Sequence, residues 1–167
     1  MTFNLTHRRL YPWLFVVGCG VLLPLVFLPQ FPADKRFEAV VAVVGSVGAL
    51  THFFYSRHLE ETRLFRELFT DFNARYNALN DQLNEIRMRP KPIELTPTDE
   101  RTLYDYFNLC AEEFLFFRAR YIHPEVWQAW CRGMVIFDDI PAIHDLWERE
   151  LLTNSYYGFS LAIARNA

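Results

Sequence analysis

An all-α fold is predicted by three features of the chain. Two long apolar stretches free of formal charge stand near the N-terminus. A proline- and glycine-free segment follows in which apolar residues recur at alternating steps of three and four. Beyond it come several proline-led helix starts, and no run alternates convincingly with period two. The expected architecture is a two-span transmembrane helical hairpin (residues 1–57), a long heptad-patterned helix (58–88), a linker (89–96) and a C-terminal cytoplasmic helical bundle (97–167). Charge divides the same way: residues 1–57 hold five basic against two acidic residues, and the remainder twelve against eighteen. With 51% hydrophobic and 17% aromatic residues the chain is too apolar to be disordered. Its acidic C-terminal part repels phosphate, so DNA is not an expected partner.

The first span is expected over Tyr11–Leu28, inside a charge-free interval from Arg9 to Asp34. A membrane helix needs about 20 such residues. The second covers residues 39–55, with Ser46, Thr51 and His52 as its polar members. Pro29 and Pro32 suit a tight turn between the two. Arg8, Arg9, Arg57, Arg63 and Arg66 flank the outer ends, against Lys35 and Arg36 in the connection, which places both termini in the cytoplasm. Tyr11, Trp13, Phe53, Phe54 and Tyr55 stand where an interfacial aromatic belt belongs. Val16–Cys19 has the outline of a lipoprotein cleavage box, but the apolar run continues past Cys19, and Phe31 spoils a signal cleavage after Ala33. Small residues at four-residue spacing, Ala42 with Ser46 and Gly45 with Ala49, serve either packing on the first span or assembly of subunits. Pro24 is placed to kink the first span, loosened by Gly18 and Gly20, and no intramembrane acid or base other than His52 suggests transport.

From Ser56 to Met88 the row Thr62, Phe65, Phe69, Phe72, Tyr76, Leu79, Leu83 and Ile86 makes a heptad seam, continuous with the second span. Its aromatic knobs are bulky for a two-stranded coiled coil, so a subunit contact and an internal core both remain open. Arg87-Met88-Arg89-Pro90-Lys91-Pro92 ends that helix. Thr96 as cap, Pro97 at the first helical position and Asp99 in the first turn start the next one, with Leu103, Phe107, Cys110, Phe114 and Phe117 inward to about Tyr121. Pro124 opens another, presenting Val126, Trp127, Trp130 and Met134. Asp138-Asp139-Ile140-Pro141 begins a third with Ile143, Leu146 and Trp147 inward, and Tyr156–Leu161 is a short closing helix or a docked arm.

The runs Tyr106–Glu113, Arg120–Ile122 and Val126-Trp127 with Trp130 and Gly133-Met134 resemble a module of small bacterial membrane proteins of unknown function. Those proteins place one or two N-terminal spans before a helical cytoplasmic domain. The resemblance covers about residues 100–150. It implies the fold and a bacterial inner-membrane location, and no catalytic residues. Arg120 stands where that pattern often carries a lysine–glycine turn.

Catalytic signals are weak. Cys19, Cys110 and Cys131 have no close pair spacing and read as reduced, packed thiols, His123 being the one base near enough in sequence to be considered. His144 and Glu148, with Asp138 and Asp139 upstream, supply metal-type ligands at a spacing that chance often produces. Glu112 and Glu113 diverge on one helix, so an ion pair with Arg118, Arg120 or Arg132 is expected for one of them. No phosphate loop, nucleophile elbow or zinc-protease helix occurs. We therefore expect no enzyme, no cofactor and no metal. The first functional reading is a membrane-anchored, homo-oligomerising interaction or regulatory protein that binds a protein partner. The second is an antiphage membrane effector sensing a cyclic oligonucleotide, with Arg87, Arg89, Lys91, Arg118, Arg120 and Arg132 as cations and Tyr121 and Trp127 as stacking residues. A channel or transporter subunit is the third.

Overall fold

The computed structural model describes residues 10–167, and no strand occurs among them. The helices are α1 (Leu10–Val26), α2 (Arg36–Met88), α3 (Pro97–Arg118), α4 (Pro124–Asp138), α5 (Pro141–Leu151) and α6 (Leu161–Arg165), with a 3₁₀ turn at Ala33–Lys35. The chain divides into two compact units after Arg63, within α2. Arg8 and Arg9, counted above for orientation, lie outside the described residues.

In the first unit, α1 ends two residues earlier than the expected span. Phe27 and Leu28 donate instead to the carbonyls of Pro24 and Leu25, three residues back, and Pro29 cannot continue a helix. Pro24 itself is accommodated inside α1. The second apolar stretch then begins one turn into α2, which runs on unbroken for 53 residues. Tyr11 meets Tyr55 edge-to-face at 5.4 Å. Gly48 lies beside the Phe15 ring and Gly18 beside Val47, so the two helices run antiparallel. The approach at Gly18 is close enough to demand glycine: a Cβ there would lie 2.9 Å from a Val47 methyl whose β-branched side chain has little room to rotate. Ala42, Gly45, Ser46 and Ala49 are exposed, and a Cβ on Gly45 would meet nothing within 4 Å. Packing on α1 is therefore not what these small residues do. Val47, Gly48 and Tyr55 make that contact, because they occupy a different stripe of the helix.

In the second unit the seam of α2 turns inward. Phe72, Leu83 and Ile86 are buried, and Phe65, Leu68, Tyr76 and Leu79 pack against the same core. Phe69 is the exception at 40% exposure, lying between Phe65 and Trp130 with its ring nearly parallel to the indole. The seam thus faces its own chain, where aromatic side chains fill a space that a two-stranded coiled coil would not offer.

Thr96 caps α3 as its sequence indicates. Its hydroxyl accepts from the Asp99 N–H, the Asp99 carboxylate accepts from the Thr96 N–H at 2.8 Å, and Pro97 stands in the first turn. The other end of α3 comes at Arg118, three residues before the expected boundary. Arg120 takes a left-handed conformation with φ 67°. Its N–H donates to the Phe117 carbonyl, and the Tyr121 N–H reaches back to Phe116, while the Tyr121 and Phe116 rings touch at 6.2 Å. These are the two bonds and the apolar contact of a Schellman ending, which is why the helix stops here without a glycine.

The buried faces of α3, α4 and α5 meet around aromatic pairs. Phe107 stacks on Trp147 at 4.4 Å and Phe117 on Trp127 at 5.0 Å. Tyr106 lies edge-on to both Phe137 and Trp147. Ile143, Leu146 and Trp147 are buried as predicted, and Cys131 and Phe137 join Trp127 and Met134 inside α4. Asp138 does not start a helix: it is the last residue of α4, and Ile140 is the cap of α5. Tyr156 and Phe159 dock the closing segment, and the helix itself begins only at Leu161.

Left-handed backbone penalises a β-carbon and not glycine. Arg120→Gly is therefore expected to stabilise the second unit by about 0.5–1 kcal/mol, and Arg120→Val to destabilise it by at least as much. Thermal unfolding of the two variants beside the parent chain measures both.

Candidate functional site

The eight residues predicted to form an anion site fall into separate places. At the start of α3, Arg89 forks onto Asp99, with Nη2 to Oδ1 at 2.9 Å and Nη1 to Oδ2 at 2.5 Å, and reaches Glu85 at 3.4 Å. Asp99 is buried and also accepts from the Thr96 hydroxyl. The Arg89 guanidinium, helped by the Thr96 N–H and hydroxyl and opposed by burial, holds the Asp99 carboxyl down to about 2. Arg89 is thus the clasp between the end of α2 and the cap of α3, and it is not available to an anion. Arg87 donates to Asn84 at 3.0 Å, and Lys91 is exposed.

At the other end of α3, the Arg118 guanidinium lies over the Phe114 ring at 5.6 Å. Arg120 and Tyr121 belong to the Schellman turn, and Arg132 is exposed on α4. Trp127 is only 2% exposed, covered on one face by Phe117 and packed against Phe114 and Phe159. At that burial its ring is not open for a base to stack on, which corrects its assignment as a stacking residue. α3 is 22 residues long, and at 1.5 Å per residue its two ends are about 33 Å apart. Within one copy, the Arg87–Lys91 group and the Arg118–Tyr121 group are not brought together.

The acidic residues also find partners other than those expected. Glu112 pairs with Arg75 of α2 through two bonds, at 2.5 and 3.1 Å, and not with Arg118, Arg120 or Arg132. Arg75 also lies over the Phe72 ring at 5.9 Å. A cation flanking the apolar seam between Phe72 and Tyr76 was the available signal for this pair, and its target 37 residues on was not. Glu113 is buried, and burial drives its carboxyl up to about 8, Arg75 opposing and Glu112 reinforcing the shift.

Asp138 is the acidic centre of the C-terminal segment. Its side chain is 1% exposed and accepts from His144 Nδ1 at 2.6 Å and from Arg165 Nε at 2.7 Å, and Arg165 also reaches Asp139 at 2.9 Å. Asp138, expected to begin a helix, is instead a buried carboxylate that pins α6 to the end of α4. His144 is held above its ordinary value by the hydrogen bond to Asp138. Among the described residues, no group of three or more His, Cys, Asp or Glu is placed to hold a metal ion. Cys110 and Cys131 are buried, and desolvation lifts both thiols, Cys131 to about 12. Such thiols stay protonated and are poor nucleophiles. The His123 ring packs edge-on to Phe65 at 4.4 Å. A shallow cleft of about 440 Å³ lies between α4 and α6, lined mainly by Phe117, Trp127, Ala162 and Ile163 with the amides of Gln128 and Asn166 at its edge.

The most extensive feature without an internal explanation is the surface of the first unit. Trp13, Leu14, Val16, Val17, Val21, Leu22 and Leu25 on α1 are exposed, as are Phe37, Val41, Val44, Leu50, Phe53 and Phe54 on α2. Apolar surface of this extent marks an interaction with something other than water. Among the described residues, the helix containing residues 39–55 is long and apolar enough to cross a membrane, and its apolar window is not buried by the rest of the chain. α1 is also apolar but, at 17 residues, shorter. Comparison with protein families, with curated proteins and with solved structures finds no match to this chain.

Two pH dependences follow from the ion pairs. The Asp99 carboxyl lies below its unfolded value near 3.8, so its stabilisation is present above that pH and is lost as pH falls toward 2. Acid unfolding of the parent chain should steepen across this interval, and Arg89→Met should remove most of the difference. His144 lies above 6.5, so its contribution is complete below that pH and is lost as pH rises through the higher folded value. An NMR titration should place the His144 ring above 6.5 in the parent chain and lower in Asp138→Asn.

Proposed function

We propose that this chain is a membrane-anchored, self-associating interaction or regulatory protein. In this reading α1 and the first part of α2 cross a bacterial inner membrane as a hairpin. Both termini are cytoplasmic, and residues 64–167 form a helical domain that binds a protein partner. The observation that carries the reading is the apolar surface on α1 and residues 37–54, which is turned outward all round except where the two helices touch. In water that arrangement would be strongly unfavourable, whereas in hydrocarbon it needs no further cover. The 17 residues of α1 rise about 26 Å, a little short of a hydrocarbon layer of about 30 Å, a mismatch that local thinning accommodates. The excess of Lys and Arg at the outer ends over Lys35 and Arg36 supports the orientation.

Self-association is supported by the outward row Ala42, Gly45, Ser46 and Ala49, whose small side chains let another helix approach closely. Binding through the second unit is supported by apolar side chains left outside its core, chiefly Ile136, Leu152 and Tyr157. The cyclic-oligonucleotide effector loses Trp127 as a platform and Arg89 as a free cation, so the interaction reading is the better supported.

The full-length chain should stay in the membrane pellet after an alkaline wash and leave it only with detergent. Recovery in the aqueous fraction without detergent would sink the proposal. Val44→Arg puts a charge at the exposed middle of the second span, at a cost of about 2.5–3.5 kcal/mol for insertion, and should sharply reduce the membrane-integrated fraction.

A further inference from the structure

A buried acid, Glu113, adjoins the carboxylate that holds Arg75, and Asp71 of α2 stands 3.8 Å from the same guanidinium. Glu113 is 5% exposed on the inner face of α3. The titratable and charged groups that face it are Arg75 and Tyr76 from α2, Tyr106, Cys110 and Glu112 from α3, and Cys131 from α4. Among the described residues no side chain hydrogen-bonds to its carboxyl, while the neighbouring Glu112 holds Arg75 through both guanidinium nitrogens at the rim of the core. Glu112 and Glu113 leave α3 about 100° apart, and Arg75 feels the charge of both.

We propose that Glu113 is a proton switch on the contact between α2 and α3: while protonated and uncharged it leaves Arg75 on Glu112, and on losing its proton to solvent it draws Arg75 off Glu112 and loosens the packing of α2 around Phe72 and Tyr76.

The physical argument has three parts. A carboxylate buried at 5% exposure near Tyr106, Cys110 and Cys131 is costly unless it acquires a cation, and the one cation at hand is already engaged. A neutral carboxylic acid avoids that cost, so packing and protonation are tied together at this position. Finally, every other titratable group facing Glu113 is of the wrong kind to intervene near neutrality. Burial raises Tyr76, Tyr106, Cys110 and Cys131 above their ordinary values, so all four remain protonated where Glu113 titrates. The inference rests on the geometry of α2, α3 and α4 and is independent of the membrane assignment.

The test uses the full-length chain in detergent micelles, with glutamate labelled at the side-chain carboxyl carbon for infrared spectroscopy. A protonated carboxyl band should be present at pH 6.5, absent in Glu113→Gln, and lost with a midpoint near 8. Glu112→Gln frees Arg75 and removes a repelling charge, so it should lower that midpoint by about 1 unit or more. Amide exchange over residues 72–76 should accelerate severalfold between pH 7 and 9 relative to Glu113→Gln at the same pH. Absence of the band at pH 6.5, a midpoint that ignores Glu112→Gln, or exchange that matches Glu113→Gln throughout would each overturn the proposal. Should Glu113→Gln fail to fold, the shift caused by Glu112→Gln decides the matter alone.

Discussion

One helix has to suit two surroundings. From Arg36 to Met88 α2 continues as one helix, yet most of its apolar side chains other than Val47 are exposed over residues 37–54, and they face a protein core from Phe65 onward. The second environment depends on the burial of Phe72, Leu83 and Ile86 beneath α3 and α4. Aromatic contacts such as Phe72 with Phe116 and Trp130 fasten that face. Without this burial the second half of α2 would be a polar helix with a wet aromatic stripe, and α3 would have nothing on which to lay Tyr106 and Phe107.

The charged residues of the second unit act mainly as fasteners around that contact. Arg89 with Asp99 closes the turn from α2 into α3, Arg75 with Glu112 bridges the same two helices farther along, and Arg165 with Asp138 holds the last helix to α4. Each pairs a partly exposed guanidinium with a carboxylate on another element. This is the placement in which arginine keeps some hydration while offering a planar fork to the acid. It also explains why the arginines that looked available for an anion are mostly engaged or scattered: cations near helix ends serve the chain's own carboxylates first.

The arrangement of aromatic residues is equally telling. With 17% of the chain aromatic, either a recognition surface or an unusually ring-rich core was open. Ring pairs among Tyr106, Phe107, Phe117, Trp127, Trp147 and Phe159 place these residues in or against the core of the second unit. In the second unit Phe69, Tyr121 and Tyr157 remain at the surface, and in the first Trp13, Phe27, Phe37, Phe53 and Phe54 are exposed.

The sequence by itself determined the local matters. It set the all-α character, the charge-free apolar runs, the continuity of α2, the Thr96–Asp99 cap, the proline-led starts of α4 and α5, and the apolar faces of α3 and α5. These depend on spacing within one or two turns, on which residues lack an N–H, and on side chains that cap their own helix, so a few consecutive residues carry the information. Only the tertiary structure decided what each face meets. Periodicity shows that the row from Phe65 to Ile86 is apolar but is the same for a partner chain as for an internal core. Four-residue spacing marks Ala42, Gly45, Ser46 and Ala49 as small without saying which way they turn. Arg75 finds Glu112 and Arg165 finds Asp138 across 37 and 27 residues, separations at which no local rule selects one carboxylate over another. Those pairings, and the burial of Trp127 and Glu113, follow from how whole helices fit together, because only their packing settles which side chains share a water-free space.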